Sequence, residues 1–98
     1  MNFITLVSQI TPADLAEYLR LTEVTGDDEN TLSTMLGIAK AYISGYTGLS
    51  NLDEYQDLVI AVFVLVQDMW DNRVLYVDKP NLNRVVETIL NMHQRNLL

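Results

Sequence analysis

The chain has no cysteine among its 98 residues, a single histidine, and only six lysines and arginines against thirteen aspartates and glutamates. Without cysteine there is no disulfide, no thiolate metal site and no thiol nucleophile. With so few cations and a formal charge of −7, it lacks the counter-charge that a nucleic-acid-binding surface needs against phosphates. His93 stands alone: Glu87, six residues upstream, faces another side of a helix, so no HExxH or ExxH metal pair exists. A lone histidine on an apolar stripe is expected as a packed, hydrogen-bonded side chain. The four glycines, Gly26, Gly37, Gly45 and Gly48, fit neither GxGxxG nor GxxxxGK followed by Ser or Thr, so no phosphate-cradling loop is present. The opening MNFITLVSQIT has neither the basic start nor the small-residue cleavage site of a signal peptide, and a cytoplasmic protein is expected.

What the chain does have is an uninterrupted apolar run. Residues 58–66, LVIAVFVLV, carry no polar side chain and continue into QDMWD. Such a segment cannot show one wet and one dry face, and must be covered on all sides by its own domain or by another chain. As a helix the run spans roughly 14 Å, less than half of a bilayer core. Asp53, Glu54 and Asp57 precede it and Asp68 and Asp71 follow it, which makes it a core element and not a membrane span. Its β-branched content would also suit a buried strand, but it has the length of a helix and no second strand-like run to pair with. One domain, residues 1–98, is expected, with 49% hydrophobic residues to build its core.

The rest reads as helices around that segment. Thr11, Pro12 and Asp14 signal an N-cap, a proline at the first helical position and an acid in the first turn, opening a short helix over residues 12–20. Leu15, Ala16 and Leu19 share one of its faces. Residues 25–28 form a turn that caps the next helix. Over residues 29–46, Leu32, Met35, Leu36, Ala39, Tyr42, Ile43 and Tyr46 recur at three and four, the amphipathic helical period. Gly48 suits the left-handed position after that helix, and Asp53 is expected to cap the central one. Gly37 and Gly45 inside a helix mark either close approach of a neighbouring helix or simple tolerance, at a cost of about 1 kcal/mol each. Residues 72–80 read as an extended arm in which Val74, Tyr76 and Lys79 alternate. A last helix restarts at Pro80-Asn81, with Leu82, Val85, Val86, Ile89, Leu90 and His93 on one stripe. The fold class is therefore all-α: a small domain of about four helices around a buried apolar one.

Clusters that could carry chemistry are few. Asp27, Asp28 and Glu29 lack the spaced oxygen ligands of a calcium loop and suit the positive end of a helix dipole. Asp68 and Asp71 share a helical face, and read as its wet edge or as partners for Arg73. Trp70 reads as core. No cofactor and no metal is expected. Charge is unevenly placed: residues 1–72 hold eleven carboxylates against Arg20 and Lys40, whereas residues 73–98 hold Arg73, Lys79, Arg84 and Arg95 against Asp78 and Glu87. An acidic body with a basic end can pair head to tail with a copy of itself; a solvated surface of accidental asymmetry accounts for the same numbers.

The ordered features over residues 14–73 resemble the small phage head–tail connector (adaptor) proteins, often labelled phage DNA-packaging proteins and found in prophage clusters as well. The matching residues are Leu19-Arg20-Leu21, the acidic turn Gly26-Asp27-Asp28-Glu29, Ala39-Lys40-Ala41-Tyr42-Ile43 leading to Tyr46-Thr47-Gly48, and the apolar helix closing in Trp70-Asp71-Asn72-Arg73. The last helix matches only as a leucine-rich stripe. The resemblance implies a structural, non-enzymatic protein of the virion, made in the bacterial host cytoplasm. It implies a homo-oligomeric ring beneath the portal protein that extends the DNA channel and offers a docking face to a tail-completion protein. DNA would pass without specific binding, and no membrane is involved. On this reading Arg73, Tyr76 and Lys79 of the arm reach the acidic face of the adjacent subunit, where Asp27, Asp28 and Glu29 stand; the alternative pairs Arg73 within its own subunit with Asp68 or Asp71. Two other readings compete. One is an acidic helical protein-binding module, such as a phage regulator or DNA mimic, with its carboxylates in one patch and no ring. The other is an enzyme, which requires Asp68, Asp71 and His93 to converge in a cleft.

Overall fold

A computed structural model describes residues 6–94; residues 1–5, at the start of the stretch read for a signal peptide, and Arg95 of the basic end lie outside the described residues. Four helices, α1 (Pro12–Tyr18), α2 (Gly26–Thr47), α3 (Leu58–Asn72) and α4 (Arg84–His93), are joined by segments holding single 3-10 turns at Val7–Gln9, Leu52–Glu54 and Lys79–Asn81. There is no strand among the described residues, so the domain is all-α.

The helix starts follow local side-chain chemistry. Thr11 Oγ1 accepts the Asp14 N–H at 3.2 Å while the Asp14 carboxylate accepts the Thr11 N–H at 2.9 Å. Thr25 and Asp28 repeat the same reciprocal pair at 3.1 and 3.3 Å, which starts α2 at Gly26, three residues before the expected Glu29. α1 stops at Tyr18, two residues early, because Arg20 adopts a left-handed φ of 58°. Gly48 ends α2 with a φ of 76°, as expected of a glycine in that place.

Two starts differ from expectation. Asp53 does not cap α3: its carboxylate accepts the Ser8 N–H at 2.9 Å and so ties the Val7–Gln9 turn to the Leu52–Glu54 turn. α3 opens at Leu58, and Asp57 before it makes no side-chain bond to the helix. Pro80 and Asn81 do not begin α4 but form a 3-10 turn; Asn83 caps α4 by accepting the Val85 N–H at 2.8 Å. Leu82 therefore lies before the helix, and Val85 is 54% exposed instead of sharing the core stripe of Val86, Ile89 and Leu90.

α3 is the hub. Leu58, Val59, Ala61, Val62, Leu65, Val66, Met69 and Trp70 are buried, and each large apolar side chain removed from water contributes about 1.5–3 kcal/mol. The cover is not complete, however: Ile60 is 52% exposed, and Phe63 and Val64 are half-buried. Three helices cannot close every sector around a fourth of this length.

Side-chain pairs fix the helix directions. Ser8 meets Asp53 and Tyr18 meets Gln67, so α1 runs with α3. His93 meets Asp57, so α4 runs against α3; Tyr46 bonds Asn91, so α4 runs with α2. α2 and α3 are thus antiparallel. On α3, the Phe63 ring meets Tyr18 of α1 at 4.9 Å between centroids, tilted by 42°, whereas Leu65, two residues or about 200° further round, lines the approach to α4. α1 and α4 therefore flank the α2–α3 pair on different sides. The α1–α2 turn, the end of α3 and the segment after it gather at one end of the bundle. The α2–α3 connection, the Val7–Gln9 turn and His93 gather at the other.

Gly37 and Gly45 make no close helix approach, for a Cβ built on either meets nothing within 4 Å. Gly37→Ala and Gly45→Ala should each raise stability by about 0.5–1 kcal/mol, and Gly48→Ala should lower it by about 1 kcal/mol, measured by urea unfolding.

Candidate functional site

The residues singled out by sequence fall into three places. The first is the closed end of the bundle. His93 Nε2 lies 2.7 Å from one carboxylate oxygen of Asp57 and 2.8 Å from the other, with its ring stacked on Tyr55 at 3.9 Å between centroids. Histidine and aspartate are 36 residues apart, a pairing that no local spacing reveals. Asp68 follows Asp57 by eleven residues on the same helix, about 16 Å away at the helical rise. His93 is thus committed to an inter-helix tie, and the grouping of Asp68, Asp71 and His93 that an enzyme would require does not form.

The second place is the end of α3. Residues 74–78 are not a free arm: Val74 and Val77 turn inward and pack on the core, while Leu75 and Tyr76 stand 55% and 60% exposed. This breaks the expected alternation, because two adjacent side chains point outward together. Arg73 closes α3 in a left-handed conformation, φ 57°, and its guanidinium lies over the Trp70 ring, 4.6 Å from the centroid. Among the described residues it makes no ion pair with Asp68 or Asp71. Trp70 itself is core, 9% exposed. Between α3 and this segment lies a cavity of about 180 Å³, floored by Leu65, Met69 and Val77 and rimmed by Asp68, Asn72 and Asp78. Burial first, and then the like charges of Asp71 and Asp78, raise the Asp68 carboxyl above its ordinary range.

The third place is the acidic turn. Asp28 is used in the Thr25 cap, and Asp27 and Glu29 are exposed in the first turn of α2, where carboxylates oppose the helix dipole favourably. Arg73 and residues 74–78 share this end of the bundle with the acidic turn, on the other flank. Lys79 does not stay with them. It returns along the groove, about 670 Å³, that it lines with Ala41, Tyr42, Gly45 and Tyr46. Ala41 is twelve residues from Glu29, about 18 Å along α2.

Sequence reasoning named Tyr76 as an interface residue but missed its neighbour Leu75, and it missed Asp78, which lines the same cavity as Asp68. Among the described residues no three side chains of metal-ligating type gather, and no helix is long and apolar enough to cross a membrane. No family model, curated protein or solved structure matches the chain.

The raised Asp68 carboxyl has a signed consequence. The folded state holds its proton to a higher pH than the unfolded chain, so stability falls as pH rises from 3.8 through the raised folded value. Asp68→Asn should remove that part of the pH dependence and unfold at a higher temperature than the parent at pH 7, in thermal melts followed by circular dichroism from pH 3.5 to 7.5.

Proposed function

We propose that this chain is a structural subunit of a phage head–tail connector, which assembles into a ring beneath the portal, links head to tail and lengthens the DNA channel. Its work is assembly and no bond is made or broken. The observation that carries the reading is the placement of two exposed surfaces at one end of the bundle: the segment with Arg73, Leu75 and Tyr76 follows α3 toward α4, and the acidic turn joins α1 to α2 on the other flank. Ring neighbours are related by rotation about one axis with no translation along it. A ring subunit whose long axis follows that axis therefore presents its two mating surfaces level and on different flanks.

Charge supports the same reading. A subunit of net −7 offers little counter-charge to phosphates, so a channel built from it would let DNA slide. The ordered sequence features over residues 14–73 support the connector identity, and the portal and a tail-completion protein are the partners it implies.

The test is charge reversal at the proposed contact. Arg73→Glu should lower the fraction of oligomer in sedimentation velocity at least several-fold, with the far-ultraviolet dichroism unchanged, whereas Lys79→Glu, in the groove beside Tyr42 and Tyr46, should leave it as it is. Unaltered assembly of folded Arg73→Glu would remove this cation from the contact.

A further inference from the structure

We propose that the uncovered sector of α3, between α1 and α4, receives one amphipathic helix of a partner protein that carries lysine or arginine at its two ends. The surface is separate from the Arg73 end and does not rest on the ring reading.

Helical geometry fixes where the sector lies. On α3, Asp57, Leu65 and Asp68 face α4, through His93 and through the cavity they share with Leu82 and Asn83. Phe63 and Gln67 face α1, through Tyr18. At 100° per residue these two directions stand about 130° apart, with Ile60, Val64 and Asp71 between them. Helices packed at equal axial distances subtend about 60° at a common neighbour, so the gap has room for one more helix. Its floor is apolar: Ile60 is 52% exposed, and Phe63 and Val64 are half-buried. Tyr18 stands on the α1 side, 40% exposed. On the α4 side stand Val85 and Met92, two turns apart and 54% and 68% exposed. They lie on the flank opposite Glu87 and Asn91, which face Tyr42 and Tyr46 of α2. Large exposed side chains from three helices thus border one strip.

The strip also has a sign. Asp57 stands at one end of it and Asp68 and Asp71 at the other, with Asp14 of α1 one turn before Tyr18. Arg84 is the single arginine or lysine within α1, α3 and α4; Arg20 follows α1, and Arg73 is laid over Trp70. A second copy is a poor occupant, since a two-fold pairing of α3 about Val64 sets Asp57 of each copy against Asp71 of the other. A helix with an apolar stripe and cations in its first and last turns matches both the floor and the ends. From Asp57 to Asp71 the strip runs roughly 21 Å, the length of a helix of about 14 residues.

The probe is a fluorescein-labelled synthetic peptide of about 14 residues, with leucine at spacings of three and four and lysine in its first and last turns. Its twin carries glutamate in place of lysine. In anisotropy titrations against the full chain, the lysine peptide should bind at least several-fold more tightly than the twin and gain helical dichroism. Ile60→Asp and, separately, Met92→Asp change exposed sites and add a carboxylate, so a purely electrostatic attraction would strengthen. Each should instead weaken binding by roughly tenfold, whereas Leu75→Asp should leave it unchanged. Equal affinity for the two peptides, no binding of either, or an equal loss in Leu75→Asp would overturn the proposal. So would an oligomer of the unsubstituted chain that Ile60→Asp or Met92→Asp disperses, since the occupant would then be a second copy.

Discussion

The constraint on which the rest of the structure depends is the nine-residue run in α3 without a polar side chain. A helix apolar around most of its circumference must be surrounded, and the described residues hold three other helices to do it. α2, the longest, lies antiparallel along it, and α1 and α4 close the two flanks. The sector left open, at Ile60, follows from that arithmetic of cover. Each of the flanking helices takes its own apolar stripe from this requirement, which is why Leu32, Met35, Leu36, Ala39 and Ile43 of α2 and Val86, Ile89 and Leu90 of α4 are all buried against one another.

The two ends of the bundle are built differently. At one end polar groups are mutually satisfied: Ser8 with Asp53, His93 with Asp57, Ser44 with the Leu49 carbonyl, and Thr47 with both the Ile43 carbonyl and the Leu49 N–H. The Ser8 N–H, with its hydroxyl, holds the Asp53 carboxyl below its ordinary range, so this tie strengthens the fold above that range and weakens on acidification. At the other end carboxylates face one another around a small cavity, an arginine takes a left-handed conformation, and two apolar side chains point into solvent. An end arranged in this way is tied less to its own subunit and leaves more surface for another, which joins the packing of α3 to the proposed assembly.

The helices were legible because their signals are local. Thr11-Pro12-Ala13-Asp14 and Thr25 to Asp28 carry a cap within four residues, and the recurrence from Leu32 to Ile43 carries a buried face within twelve. Where a short polar residue could bond in more than one direction, the reading failed: Asp53 serves Ser8, 45 positions away, in place of the helix beside it. Pro80 is as acceptable in a 3-10 turn as at a helix start, and the preference was decided by Asn83, which caps better. The candidate site was legible in its charges and not in its shape. That Arg73 and the acidic turn share one end follows from the antiparallel course of α2 and α3, and that Leu75 and Tyr76 both face outward follows from Val74 and Val77 finding the core. Neither is encoded at short range.

Self-association through the Arg73 end is the central claim, and sedimentation velocity of the unmodified chain across a wide concentration range, at low and high salt, tests it most directly. The account predicts one discrete closed oligomer that grows with concentration. A single monomeric boundary at every concentration and salt would contradict it.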